Sequence, residues 1–92
     1  MRISKEKRDK ISEQILALLY SKFPQPLFTS KIAEEIARDE EFVKNILLEL
    51  KGKGLLVEIK KNPEGVSYLK RARWTLSDKA YEAYKLHQSS QH

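Results

Sequence analysis

The 92-residue chain predicts a single α+β domain that is mostly α: three helices, a β-hairpin and a C-terminal helix. Three observations carry that reading. Apolar residues recur at helical spacing as far as Leu50. Beyond Gly52 and Gly54 the period shortens to that of a strand, on both sides of the turn sequence Asn62-Pro63-Glu64-Gly65. From Ser77 onward the helical spacing returns.

The first helix spans Ser4 to Phe23, with Ile11, Ile15, Leu18 and Leu19 on its inner face and Leu16 and Tyr20 widening the apolar arc. Pro24 and Pro26 forbid its continuation. Leu27 and Phe28 make a brief extended link, after which Thr29 or Ser30 caps a short second helix. Ile32, Ala33 and Ile36 face inward on that helix, which is expected to end near Arg38. Asp39 caps the third helix, and Glu40 and Glu41 occupy its first turn, where acids suit the positive end of the helix dipole. The third helix runs to about Lys51, with Val43, Leu47 and Leu50 in the core and Phe42 and Ile46 flanking them; Gly52 and Gly54 close it.

The strands are expected within LLVEIKK and VSYLKRARWTL, and in the connection Pro63 fixes φ while Gly65 takes a positive φ. Shared parity turns Trp74 and Leu76 to the core and Arg73 and Thr75 outward. Ser77 caps the last helix, with Asp78 in its first turn and Ala80, Ala83, Tyr84 and His87 on its inner face. The closing QSSQH is expected to be a frayed, flexible tail, so one domain fills residues 1–92 with its core over about 6–87.

Composition bounds the function. At 40% apolar and 34% charged residues the chain is neither disordered nor a membrane protein, and its longest apolar run, Ile15 to Tyr20, falls far short of a bilayer span. The N-terminal MRISKEKRDK has charge without a signal-peptide core, which gives the expectation of a cytoplasmic protein, nucleoid-associated if the source is prokaryotic. With no cysteine, thiolate chemistry and disulfides are excluded. The histidines are His87 and His92, no Gly-rich phosphate cradle occurs, and no zinc-ligand spacing is present. The expectation is a protein without enzymatic activity, cofactor or metal.

A net charge of +5 favours an anionic partner, and its distribution is uneven. Residues 1–22 carry net +3 and residues 51–92 net +5, whereas residues 23–50 carry net −3. The most acidic segment therefore contains the third helix.

Two local signatures accompany this order of elements: TSKIAEEIARDEEFVKNILLELKGKGLLVE, and the aromatic-x-Leu-Thr/Ser entry to the last helix in WTLSDKAYEAY. With them the chain resembles a winged helix-turn-helix domain of the small DNA-binding regulator type, over roughly Glu6 to His87. That resemblance implies duplex DNA binding and transcription regulation, with helix three, about residues 40–51, in the major groove and the wing hairpin on the adjacent backbone or minor groove. Carried over by position, the base-reading side chains fall at Glu41, Phe42, Lys44, Asn45 and Leu48, with Thr29, Ser30 and Lys31 against phosphate. Asn45 suits adenine and Glu41 suits a cytosine amino group, but neither supplies phosphate attraction.

The attraction is expected from the wing, where Lys60, Lys61, Lys70, Arg71 and Arg73 face only Glu58 and Glu64. Arg2, Lys5, Lys7, Arg8 and Lys10 form a second basic strip, interrupted by Glu6 and Asp9. Lysine-rich hairpin edges also deter strand-to-strand aggregation, but two arginines beside three lysines favour backbone contact. Similar domains also serve as protein-interaction modules in transcription or replication complexes, and the same basic surface suits an RNA- or ribosome-associated role. For such a partner, or for a homodimer, the candidate surface residues are Leu48, Leu16 and Tyr20.

Overall fold

The computed structural model describes residues 4–60 and 72–90. The described elements run α1 (Lys5–Lys22), β1 (Leu27–Phe28), α2 (Thr29–Glu35), α3 (Glu40–Gly52), β2 (Leu56–Ile59), β3 (Arg73–Leu76) and α4 (Asp78–Ser90). Ser4 caps α1 by accepting a hydrogen bond from the Lys7 backbone N–H at 3.2 Å. Asp39 does the same for α3, accepting from the Phe42 N–H at 3.1 Å. Ser77 caps α4, its hydroxyl accepting from the Ala80 N–H at 3.1 Å while donating to the Gly54 carbonyl at 2.8 Å. One serine thus starts the last helix and fastens it to the turn after α3.

The three strands form one antiparallel sheet in the order β1-β3-β2. Its register pairs Leu27 with Trp74, and Leu56 with Leu76. All four side chains are buried and share the inner face, where α1 packs on β3 and α3. Ile11, Ile15 and Leu19 of α1 meet Ile32 and Ala33 of α2 and Val43, Ile46, Leu47 and Leu50 of α3 in a single core. Ile46 is fully buried and belongs to that core, whereas Phe42 flanks it, half-buried.

Helix two departs from expectation at both ends. It begins directly after the strand with Phe28 in the N-cap position, and no side chain caps it. Thr29 is already helical, and its hydroxyl is engaged elsewhere: it accepts the Trp74 indole N–H at 2.7 Å. The helix stops at Glu35 rather than near Arg38, because Ala37 takes a left-handed φ of +54°. The Arg38 N–H then donates to the Ala33 carbonyl at 3.0 Å and the Ala37 N–H to that of Glu34 at 3.2 Å, which is a Schellman ending. Helix three ends in the same way, with Gly54 at φ +80° in the left-handed position and the Leu55 N–H donating to the Leu50 carbonyl at 3.0 Å. The two endings differ only in the residue that bears the positive φ.

Helix four also corrects two expectations. Its inner face is Ala80, Tyr81 and Tyr84, while Ala83 and His87 are exposed. The reason is aromatic: Tyr81 stacks on Phe23 with centroids 4.0 Å apart and on Tyr20 at 5.4 Å, and Tyr84 meets Tyr20 at 4.6 Å. Three ring contacts, made by Tyr81 and Tyr84 with Tyr20 and Phe23 at the C-terminal end of α1, fix the rotation of α4 more strongly than one small alanine. The helix continues through Gln88 to Ser90, into the segment expected to fray.

Candidate nucleic-acid interface

The arc of α3 opposite Val43, Ile46, Leu47 and Leu50 is exposed, and it presents Glu41, Lys44, Asn45 and Leu48. These are the positions the sequence singled out for base reading, and helical geometry places them on one surface. Phe42 lies off that arc, half-buried. Leu48 is 43% exposed, so it projects from the polar face as expected.

What the sequence did not reveal is how both flanks of this arc are tied down. On one flank the Arg8 guanidinium, on α1, donates to a single Glu49 carboxylate oxygen, from Nε at 3.1 Å and from Nη2 at 2.6 Å. Lys53 stands 3.6 Å from the other oxygen. With Arg8 donating to it, and Lys53 beyond, the Glu49 carboxyl is held below the usual range. On the other flank Lys51 donates to Glu58 of β2 at 2.7 Å, and Lys60 lies 3.9 Å from the same oxygen. Glu58 shares the inward parity of Leu56, so its side chain is only 11% exposed, and a partly buried carboxylate gains more from a paired cation than an exposed one. Each flank thus holds one acid between two cations, a surplus of one positive charge on either side of the arc. Sequence separation hides the first cluster, since Arg8 and Glu49 are 41 residues apart.

The expected phosphate contacts at the start of α2 fare differently. Ser30 is exposed, whereas Thr29 is half-buried and bonded to Trp74. Lys31 is exposed but forms ion pairs with Glu35 at 3.1 Å and Glu34 at 3.8 Å, with Glu35 the main cause of its raised pKa. Two acids on its own helix compensate its charge. Lys44 makes no ion pair among the described residues.

In the wing, Lys60 is exposed and Arg73 is half-buried on the outer sheet face, opposite Trp74. The Arg73 guanidinium lies 5.8 Å from the centroid of the Phe28 ring, so the strand pairing of Phe28 with Arg73 is matched by a cation–π contact. Thr75, on the same face, is also half-buried rather than open. Lys61, Lys70, Arg71 and the Asn62–Gly65 turn lie outside the described residues, as does Arg2. The possible partner residues Leu16 and Tyr20 are half-buried, and Tyr20 is held by the rings of α4. Two exposed apolar side chains had no signal in the sequence: Val57 on β2 and Leu86 on α4, the latter 70% exposed. Among the described residues no helix is long and apolar enough to cross a membrane, and no group of three metal-ligating side chains converges.

Helix-turn-helix, paired strands of a wing and a following helix define a winged helix-turn-helix fold. No protein-family sequence model matches the chain, and no curated protein matches it in sequence. Solved structures do match. A complex of Staphylococcus aureus MepR with DNA superposes with a TM-score of 0.74 at 21% identity, covering 91% of this chain and 66% of MepR. A variant of Lactococcus lactis ZitR gives 0.68 at 24% identity, over 97% of this chain and 56% of ZitR. A candidate DNA-binding protein from Ralstonia eutropha gives 0.65 at 17% identity, covering 85% of this chain and 94% of that protein. The chain therefore spans less than two thirds of the MepR and ZitR chains it matches.

Proposed function

We propose that the chain binds duplex DNA and acts as a transcriptional regulator, a binding protein rather than an enzyme. The observation that carries this is the exposed arc of α3, polar but for Leu48 and flanked on each side by an ion-pair cluster with a surplus cation, on a fold shared with a protein solved on DNA. Asn45 and Lys44 face the major groove in this reading, and Ser30 meets phosphate at its edge. The wing supplies most of the backbone attraction through Lys60, Arg73 and, by sequence, Lys61, Lys70 and Arg71. Arg73 contributes as a fixed charge braced by Phe28, and Lys60 as a solvent-extended one.

The test is a duplex titration at several salt concentrations. Engagement of three or four wing cations gives a slope of log K against log salt of roughly −3 to −4. Reversing charge with Arg71→Glu and Arg73→Glu is expected to abolish binding, and Glu40→Gln with Glu41→Gln to tighten it. Retention of duplex affinity by the charge-reversed wing would overturn the wing-led mechanism. An absence of parent binding at low salt, with a protein partner lost on Leu48→Ala, would replace DNA by a protein docked on the exposed leucine. Sizing of the parent with and without duplex determines whether a homodimer is the binding unit.

A further inference from the structure

An acidic residue on the flank of a DNA-reading helix repels the backbone it approaches, unless something inside the protein has already neutralised it. Glu49 sits one residue beyond Leu48 and one helical turn beyond Asn45, so its carboxylate borders the proposed reading surface. Both of its oxygens face cations: Oε2 takes two donors from Arg8, and Oε1 faces Lys53. Lys53 is an exposed neighbour on the same helix segment, a geometry that holds a partner loosely. Arg8 differs. It comes from α1, whose packing through Ile11 and Ile15 fixes its distance from α3, and a guanidinium presents its donors in a rigid fork. Among the described residues Arg8 is the one cation of α1 paired with α3, while Lys5, Lys7 and Lys10 on the same helix are exposed and make no ion pair.

We propose that Arg8 is a positioning residue for nucleic-acid binding: it acts through Glu49, holding that carboxylate toward α1 and away from an approaching backbone, so that the Asn45 side of α3 can meet phosphate. This rests on the DNA-binding reading above. It assigns to the N-terminal helix a part in recognition that requires no contact between Arg8 and the duplex. It also removes from the approaching backbone one of the three acids that α3 carries, Glu40 and Glu41 being the other two.

The experiment is a double-substitution cycle in the full chain, with duplex affinity measured at fixed salt for the parent, Arg8→Gln, Glu49→Gln and the combined variant. Arg8→Gln is expected to weaken binding roughly three- to sevenfold, as for a carboxylate released to about 7 Å from a phosphate at an effective dielectric constant between about 40 and 80. Glu49→Gln and the combined variant are expected to stay within about twofold of the parent, because the loss of Arg8 matters only while the carboxylate is there. Arg8→Lys, which keeps charge without the fork, is expected to lie between parent and Arg8→Gln. A loss of equal size from Arg8→Gln in both backgrounds would mean a direct phosphate contact or a plain effect of net charge, and would overturn the proposal. A DNA-free arm separates the two levels: carbon-detected NMR titration of the Glu49 carboxyl should show its pKa rise on Arg8→Gln. An unchanged titration defeats the Arg8–Glu49 pairing in solution whatever the DNA result, whereas a parent that binds no duplex defeats the DNA reading itself. Thermal unfolding of each variant confirms that it is folded at the temperature of the titration.

Discussion

The hydrogen bond from the Trp74 indole to Thr29 joins the first residue of α2 to the central strand of the sheet, and its strength can be measured. The donor side chain is 1% exposed and the acceptor half-buried, at 2.7 Å. Thr29→Val preserves the shape of the side chain and removes the acceptor. It leaves a buried N–H without a partner, which costs about 1–3 kcal/mol. In a domain of this size each kcal/mol lowers Tm by roughly 4–8 °C. Thr29→Ser keeps the acceptor and sheds one methyl group at a half-buried position, so its loss should stay below about 1 kcal/mol. Trp74→Phe removes the donor and leaves a cavity. The combined Thr29→Val and Trp74→Phe variant should then be more stable than the sum of the single changes by about 1–2 kcal/mol. Urea unfolding followed by far-ultraviolet circular dichroism suits every variant, and the chain's one tryptophan adds a local fluorescence probe wherever it is retained. Equal stability of Thr29→Val and Thr29→Ser, or an additive cycle, would refute the reasoning and reduce the contact to packing.

Two further outcomes are expected. Ala37 holds a left-handed φ of +54° at an exposed position, so Ala37→Gly should raise stability by about 0.5–1 kcal/mol in urea, after the greater unfolded-chain freedom of glycine offsets part of the relieved strain; a destabilised variant would show that the alanine is not strained there. Because the Glu49 carboxyl is held below its ordinary value of 4.5, its contribution to stability is present above that pH and is lost as pH falls through the lower folded value. The difference in stability between parent and Glu49→Gln should therefore shrink on acidification below about pH 4.5, a trend read from urea midpoints at successive pH values.

Local rules made much of this molecule legible. Asp39 and Ser77 are caps by chemistry that acts over three residues, and Trp74 and Leu76 face inward by strand parity. Gly54 marks the end of α3 because glycine advertises a positive φ, while Ala37 performs the same turn with a residue that advertises nothing, and so α2 is shorter than its sequence suggested. Thr29 has the chemistry of a cap and spends its hydroxyl on an indole 45 residues away. The rotation of α4 likewise depends on Phe23 and Tyr20, which the spacing within residues 78–90 cannot register. In the candidate interface the exposed arc follows from periodicity, whereas the Arg8–Glu49 and Lys51–Glu58 pairs depend on how α1 and β2 are laid beside α3. Apart from the local turn at Ala37, the illegible part is long-range pairing.

The strand order has a consequence for biosynthesis. Leu27 and Leu56 both lean on β3, whose residues leave the ribosome after those of either neighbour. During translation the helical hairpin of α2 and α3 can gather its nearby contacts early, but two strand edges wait without a mate until Trp74 and Leu76 emerge. A nascent chain stalled short of Leu76 is the form most exposed to mispairing, and a factor that guards young polypeptides would find its task concentrated in that interval.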